Sequence, residues 1–130
     1  MSKRRFFAEV AVWTASVFVA LVCLRSGLMK MPGVPGEQFW ARDFQRWGYP
    51  DWFRIVVGLA ELAAFASLLV PRAAAYGAGL FGAVMVGAIF THATHGESSR
   101  LPFNVVLLTL SLGIAVARLS ARRHRAARSE

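Results

Sequence analysis

Four apolar runs, at residues 6–29, 52–70, 73–94 and 101–119, take up most of this 130-residue chain. Each is close to the roughly 20 residues that a helix needs to cross the hydrocarbon core of a bilayer. Hydrophobic residues make up 56% of the sequence, and the charges gather between the runs instead of alternating with them. Pro71-Arg72 separates the second and third runs, while Ser98 or Ser99 offers a cap for the fourth and Pro102 sits in its first turn. These features predict one all-α integral membrane domain over residues 1–130. Its expected architecture is an up-and-down four-helix bundle, with a short interfacial helix between the first and second spans and no soluble second domain.

The basic start SKRR before FFAEVAVWTASVFVALVCL resembles a signal peptide, but the apolar stretch exceeds a signal core. Val22 before Cys23 also spoils both a small-residue cleavage site and a lipoprotein-type site. Cys23 is the only cysteine, so no disulfide can form within the chain, and in an apolar helix it reads as packing.

A formal charge of +8 would point to nucleic acid in a water-soluble protein. Here Lys3, Arg4, Arg5, Arg72, Arg118, Arg122, Arg123, Arg125 and Arg128 flank the ends that share one side of a four-span topology, whereas the other side mixes both signs. By the positive-inside rule both termini are cytoplasmic. The basic segment 120–130 is expected as a cytoplasmic tail near anionic headgroups. Nucleic acid is excluded as a partner, because no stacking aromatics accompany the arginines.

The outer loop carries Trp40, Phe44 and Trp47 at i, i+4 and i+7. That spacing predicts an interfacial helix with Arg42, Asp43 and Arg46 facing water. It reads as an aromatic belt that sets depth, with a lid over a ligand as the alternative.

Helices in lipid associate through close packing of small residues and through polar contacts. Ala75, Gly79, Ala83 and Gly87 recur every four residues and predict a helix-packing groove, opposite a face of Phe81, Met85, Ala88 and His92. Inward stripes are expected at Trp13, Ser16, Ala20, Cys23, Gly27 and Lys30, and at Asn104, Leu108, Ser111, Ala115 and Arg118. Arg25 conflicts with the first stripe, since a two-residue offset turns it about 160° away from Cys23 and Gly27.

Glu61 stands in the middle of the run RIVVGLAELAAFASLLV. A charge at the centre of a span costs roughly 2.5–3.5 kcal/mol on the insertion scale, so Glu61 should face protein, on a face with Arg54, Gly58, Phe65 and Leu68. It lies about 13 Å from the outer end of its span at 1.5 Å per residue, and Lys30, Arg25 and His92 also fall in the outer half. Glu61, His92, Lys30, Arg25 and Arg54 are the candidates for a ligand-binding or polar pocket. Whether Glu61 is a neutral carboxyl, an anion paired with Lys30 or Arg25, or a proton-relaying group stays open. His92 and His95 form an H-x-x-H pair, but without a third ligand no metal site is assigned.

SGLMKMPG, GYPDW, GLAELAAFASLLVPR and MVGAIFTHATHG, in that order, resemble the DoxX-like family of small four-helix bacterial membrane proteins. Gly27, Lys30, Glu61 and His92 match its signature positions, and the likeness covers roughly residues 20–115. The resemblance implies the bacterial cytoplasmic membrane and a link to redox or quinone metabolism, since the family takes its name from a subunit associated with thiosulfate:quinone oxidoreductase. Some relatives assemble with enzymes of thiol and oxidative-stress defence. It transfers no catalytic residue. The leading expectation is therefore an accessory, non-catalytic membrane subunit with a polar pocket in the outer half of its bundle. Quinone or lipid are the candidate ligands, and the bilayer, a membrane or redox-enzyme partner or a second copy of the chain the candidate partners. The alternatives are a quinone-interacting oxidoreductase subunit, with Glu61 or His92 exchanging a proton, and a small oligomeric transporter.

Overall fold

The computed structural model describes residues 2–130. It is all helical: α1 (Lys3–Met29), α2 (Glu37–Arg46), α3 (Asp51–Leu68), α4 (Ala74–Thr94) and α5 (Leu101–Ser129), with a single 3-10 turn at Ser98–Arg100 leading into α5. The hydroxyl of Ser2 caps α1 by accepting the Arg5 N–H. Gly48 and Gly96, at φ 83° and 70°, end α2 and α4 in the left-handed conformation that favours glycine. Pro102 lies in the first turn of α5, as expected, but Arg100 occupies the cap position and neither Ser98 nor Ser99 caps the helix with its side chain. The 3-10 turn carries the chain directly into α5.

The four long helices pack in the cyclic order α1, α3, α4, α5, and the α5–α1 seam is the thinnest. Their common core holds Val19, Ala20 and Cys23 of α1, Ala64 and Leu68 of α3, Ala78, Phe81 and Met85 of α4, and Leu107 and Ile114 of α5. The inward stripes of α1 and α5 fall where the periodicity places them, with Ser16, Cys23, Gly27, Lys30, Asn104, Ser111 and Arg118 all buried. Outward positions are apolar too: Phe7, Leu21, Leu59, Tyr76, Phe90, Leu112 and Val116 are each more than half exposed. A water-soluble domain keeps such contiguous apolar surface small. Three helical stretches, Lys3–Met29, Ala74–Thr94 and Ser98–Ser129, are long and apolar enough to cross a membrane. The 18 residues of α3 include Asp51, Arg54 and Glu61, which set it apart from those three.

The segment 120–130, expected as a tail, continues α5 as helix through Ser129. Arg122 ties it back to the start of α4, donating to the Tyr76 hydroxyl at 3.2 Å and to the Arg72 carbonyl at 3.0 Å.

The small-residue groove of α4 is a correction. Within the chain only Ala75 of the Ala75, Gly79, Ala83, Gly87 stripe is buried, and a Cβ built at Gly79 or Gly87 would meet nothing within 4 Å. Close approach is made instead by Gly77, where a Cβ would lie 2.7 Å from Ser67 Cβ and 3.1 Å from the Ala64 carbonyl of α3. The reason is geometric: the face of α4 that carries Phe81, Met85 and His92 turns inward, which leaves the four-residue repeat on the flank.

This arrangement predicts opposite outcomes for two glycines of one helix. Gly77→Val should destabilise the fold by about 1–3 kcal/mol through overpacking, whereas Gly79→Ala should stabilise it by up to about 1 kcal/mol through helix propensity. Reversible unfolding in mixed detergent micelles measures both. Equal sensitivity at the two positions would contradict the assigned faces.

Candidate functional site

The end of the molecule that carries α2 is organised by a close crossing of α1 over α3. A Cβ at Gly27 would lie 2.9 Å from the Gly58 carbonyl, and one at Gly58 would lie 2.8 Å from Lys30 Cβ. Because both positions are glycine, the backbones approach closely enough for Lys30, the residue that ends α1, to reach Glu61 on α3. Lys30 Nζ lies 2.6 Å from Glu61 Oε1, and the residues are only 3% and 1% exposed. The ammonium meets Oε1 as an ion pair, off the direction of a well-formed hydrogen bond, and donates to Ser26 Oγ at 2.6 Å. It also sits 3.7 Å from the centre of the Trp40 ring on α2, a cation–π contact that closes the pair from above.

Arg54 has a different role from the one expected. It is buried on the Glu61 face of α3, but it donates to the Lys30 carbonyl at 2.8 Å and pairs with Glu37 at 3.1 Å and Asp51 at 3.4 Å. It therefore satisfies the C-terminus of α1 and anchors the start of α2, and it does not line the cavity described below. The Gly33 N–H and the Arg54 guanidinium hold the Glu37 carboxyl below the usual range.

His92 is brought to the same end, and its Nδ1 bonds Glu97 Oε1 at 3.0 Å. The Glu97 carboxylate also accepts from Trp47 Nε1 at 2.8 Å and pairs with Arg46. Partial burial pushes its pKa up, but the hydrogen bonds from His92 and Trp47 and the charges of Arg100 and Arg46 outweigh that and hold it below the usual range. Because the folded value lies under the unfolded one, the contribution to docking α2 is complete above the ordinary carboxylate pKa and is lost as pH falls through the depressed value. His95 turns away and bonds the Thr91 carbonyl at 2.8 Å, so the two histidines of H-x-x-H address different partners.

Asp43, expected in water with Arg42 and Arg46, is a second correction. It is 4% exposed and lies 2.7 Å from Arg100 and 3.0 Å from Arg46. A carboxylate under a helix is retained where cations from neighbouring elements meet it, and Arg100 of the 3-10 turn supplies one. Phe44 is buried beside it, so α2 presents both an apolar and an acidic residue to the bundle. The Tyr49 hydroxyl lies 2.8 Å from Thr91 Oγ1, which in turn donates to the Gly87 carbonyl.

Between these contacts lies a partly open cavity of about 800 Å³, with lining from all five helices. Aromatics of α2 and its flanks (Phe39, Trp40, Phe44, Trp47, Tyr49) cover it, and Val57, Leu80, Phe81, Met85, Phe103 and Leu107 give it an apolar wall. Lys30, Glu61, His92, Thr91, Asn104 and Arg25 supply its polar positions. Size and lining are those of a small-molecule site, mostly apolar with a few placed polar groups. Sequence reasoning placed Glu61, Lys30, His92 and Arg25 together. The sequence puts Asn104 on an inward face and offers the α2 aromatics as a belt or a lid, but it does not mark Glu97 and Asp43 as the carboxylates that hold α2 down. The i, i+4, i+7 stripe was the available signal for the aromatics; the two carboxylates gave none.

The chain belongs to the DoxX-like family, whose match spans residues 14–114, and it is a membrane protein. It is 32% identical over 104 residues to the uncharacterized protein YdgD of Bacillus subtilis (strain 168), an alignment that covers 77% of this chain and 89% of the relative. No solved structure matches it.

The buried pair gives a thermodynamic prediction. Glu61→Gln leaves the Lys30 ammonium without its counter-charge and should destabilise the fold by about 3–5 kcal/mol, while the double variant Lys30→Met, Glu61→Gln should recover most of that loss. A double-mutant cycle in detergent measures the coupling. Additive single effects would show that the two groups do not interact.

Proposed function

We propose that this DoxX-like chain crosses the bacterial cytoplasmic membrane four times, with α3 as the most polar span and both termini in the cytoplasm. In this reading α2 lies at the outer interface, and the chain is a non-catalytic accessory subunit that holds an amphiphilic small molecule, a quinone or a lipid, for a membrane or redox-enzyme partner. The observation that carries the proposal is the cavity. It combines an apolar wall, the Lys30–Glu61 pair at its side and an aromatic cover on α2, which together suit a molecule with a polar head and an apolar body. The redox association rests on family resemblance, and the cytoplasmic side is argued from the arginines at the ends of α1 and α5.

A second reading draws on the fact that Glu61 and His92 line the same cavity. Both are groups that can exchange a proton with a reduced or oxidised head group, which would make the chain a working part of a quinone-dependent oxidoreductase. Electron transfer by the isolated chain would favour it, and dependence on a co-purifying enzyme would favour the accessory role.

The test is to purify the protein in mild detergent, extract it with organic solvent and identify the bound lipids and quinones by mass spectrometry. Wild type should retain a defined compound near one per chain. His92→Ala, and Lys30→Met, Glu61→Gln together, should lower its occupancy about tenfold, as expected for loss of one or two hydrogen bonds to a buried head group. An unchanged set of bound compounds in both variants would overturn the proposal.

A further inference from the structure

Two arginines of the outer half have no acidic partner, and one of them lies at the cavity. The chain has seven acidic residues. Glu61 is committed to Lys30, Glu37 and Asp51 to Arg54, Asp43 to Arg100 and Arg46, and Glu97 to Arg46 and His92. Glu9 pairs with Arg118 at the opposite end of the bundle, and Glu130 is the last residue. No carboxylate among the described residues reaches Arg25. This arginine lies on α1 about 7.5 Å below Lys30 at 1.5 Å per residue, is exposed, and lines the cavity. Arg42, the other outer arginine without an acidic partner, lies on the exposed face of α2 and does not line it.

An arginine in an apolar span costs free energy unless it meets an opposite charge or water. Its planar fork matches a phosphate or carboxylate through two parallel hydrogen bonds. Accepting that the cavity is a ligand site, we propose that its occupant is an anionic amphiphile, whose phosphate or carboxylate head pairs with Arg25 and whose apolar chain lies along Val22, Phe103 and Leu107. The internal pairs explain the selectivity. Lys30 and Arg100 are already neutralised by Glu61 and Asp43, so Arg25 is the cation at the cavity left for the ligand. A neutral head would leave it uncompensated.

Native mass spectrometry of the delipidated full chain in a neutral detergent provides the test, with phosphatidylglycerol, phosphatidylcholine of the same chains, oleate and oleyl alcohol as probes. Wild type should prefer the anionic probe over its neutral counterpart in at least one pair by about tenfold, the scale of one charge-assisted contact, and no preference in either pair would overturn the proposal. A phospholipid ligand would show the preference only in the first pair, and a fatty acid only in the second. Arg25→Gln should abolish the preference while leaving the neutral probes unchanged, and Arg25→Lys should restore part of it. Gly87→Phe, placed where a Cβ has open space and at the cavity wall, should weaken all four probes. If Arg25→Gln keeps the preference while Gly87→Phe weakens binding, the anion assignment falls and the cavity reading stands. If the preference depends on Arg25 but Gly87→Phe changes nothing, the anion binds outside the cavity, and both readings fall.

Discussion

The rest of the structure depends on one buried contact between unlike charges, Lys30 with Glu61. Neither group can be left alone at depth in an apolar bundle, since the desolvation of a single uncompensated ion exceeds what packing nearby can return. The pair therefore dictates the crossing of α1 over α3. That crossing needs two glycines, Gly27 and Gly58, because any side chain at either would collide with the opposing helix. It also places the end of α1 under Arg54, which takes the free carbonyl of Lys30 and then fixes Glu37 at the start of α2. A sequence of local requirements thus leads from one carboxylate to the placement of α2.

Around that pair the polar groups form two layers with different tasks. The upper layer, Glu97 and Asp43 with Arg46, Arg100, His92 and Trp47, joins α2 to α4 and to the turn before α5. It is partly solvated, so each ion pair in it contributes modestly, and its strength lies in several partners sharing two carboxylates. The lower layer is the cavity, walled by apolar side chains and touched by few polar ones. At the opposite end Arg118 pairs with Glu9 beside Trp13, which ties α5 to α1 along their thin seam. The fold is clamped at both ends and left open between.

Much of this was legible in the sequence because lipid makes the rules strict. Helical periodicity alone selected the buried faces of α1 and α5, and the cost of a charge at depth selected Glu61 as inward while leaving open whether it is neutral or paired. Asp43 was read as solvated because the Trp40, Phe44, Trp47 stripe leaves it on the other face of α2; the residue that buries it, Arg100, comes 57 positions later, and no local pattern announces it. The stripe Ala75, Gly79, Ala83, Gly87 misled for a related reason. A repeat of small residues shows that a helix can be approached closely but not that a neighbour is there, and Gly77, which belongs to no repeat, makes the contact with α3. Arg54 was placed on the correct face, but two of its partners, the Lys30 carbonyl and the Glu37 carboxylate at the start of α2, depend on how α1 ends.

In the proposed function the Lys30–Glu61 pair flanks a cavity that an amphiphile occupies in the membrane. A crystal structure of the protein grown from a lipidic mesophase with no ligand added tests this most directly. It should show Lys30 Nζ within ion-pair distance of Glu61 and elongated density beneath α2, running from the Arg25 side along Phe103. A collapsed cavity, or Glu61 turned outward to the acyl chains, would contradict it.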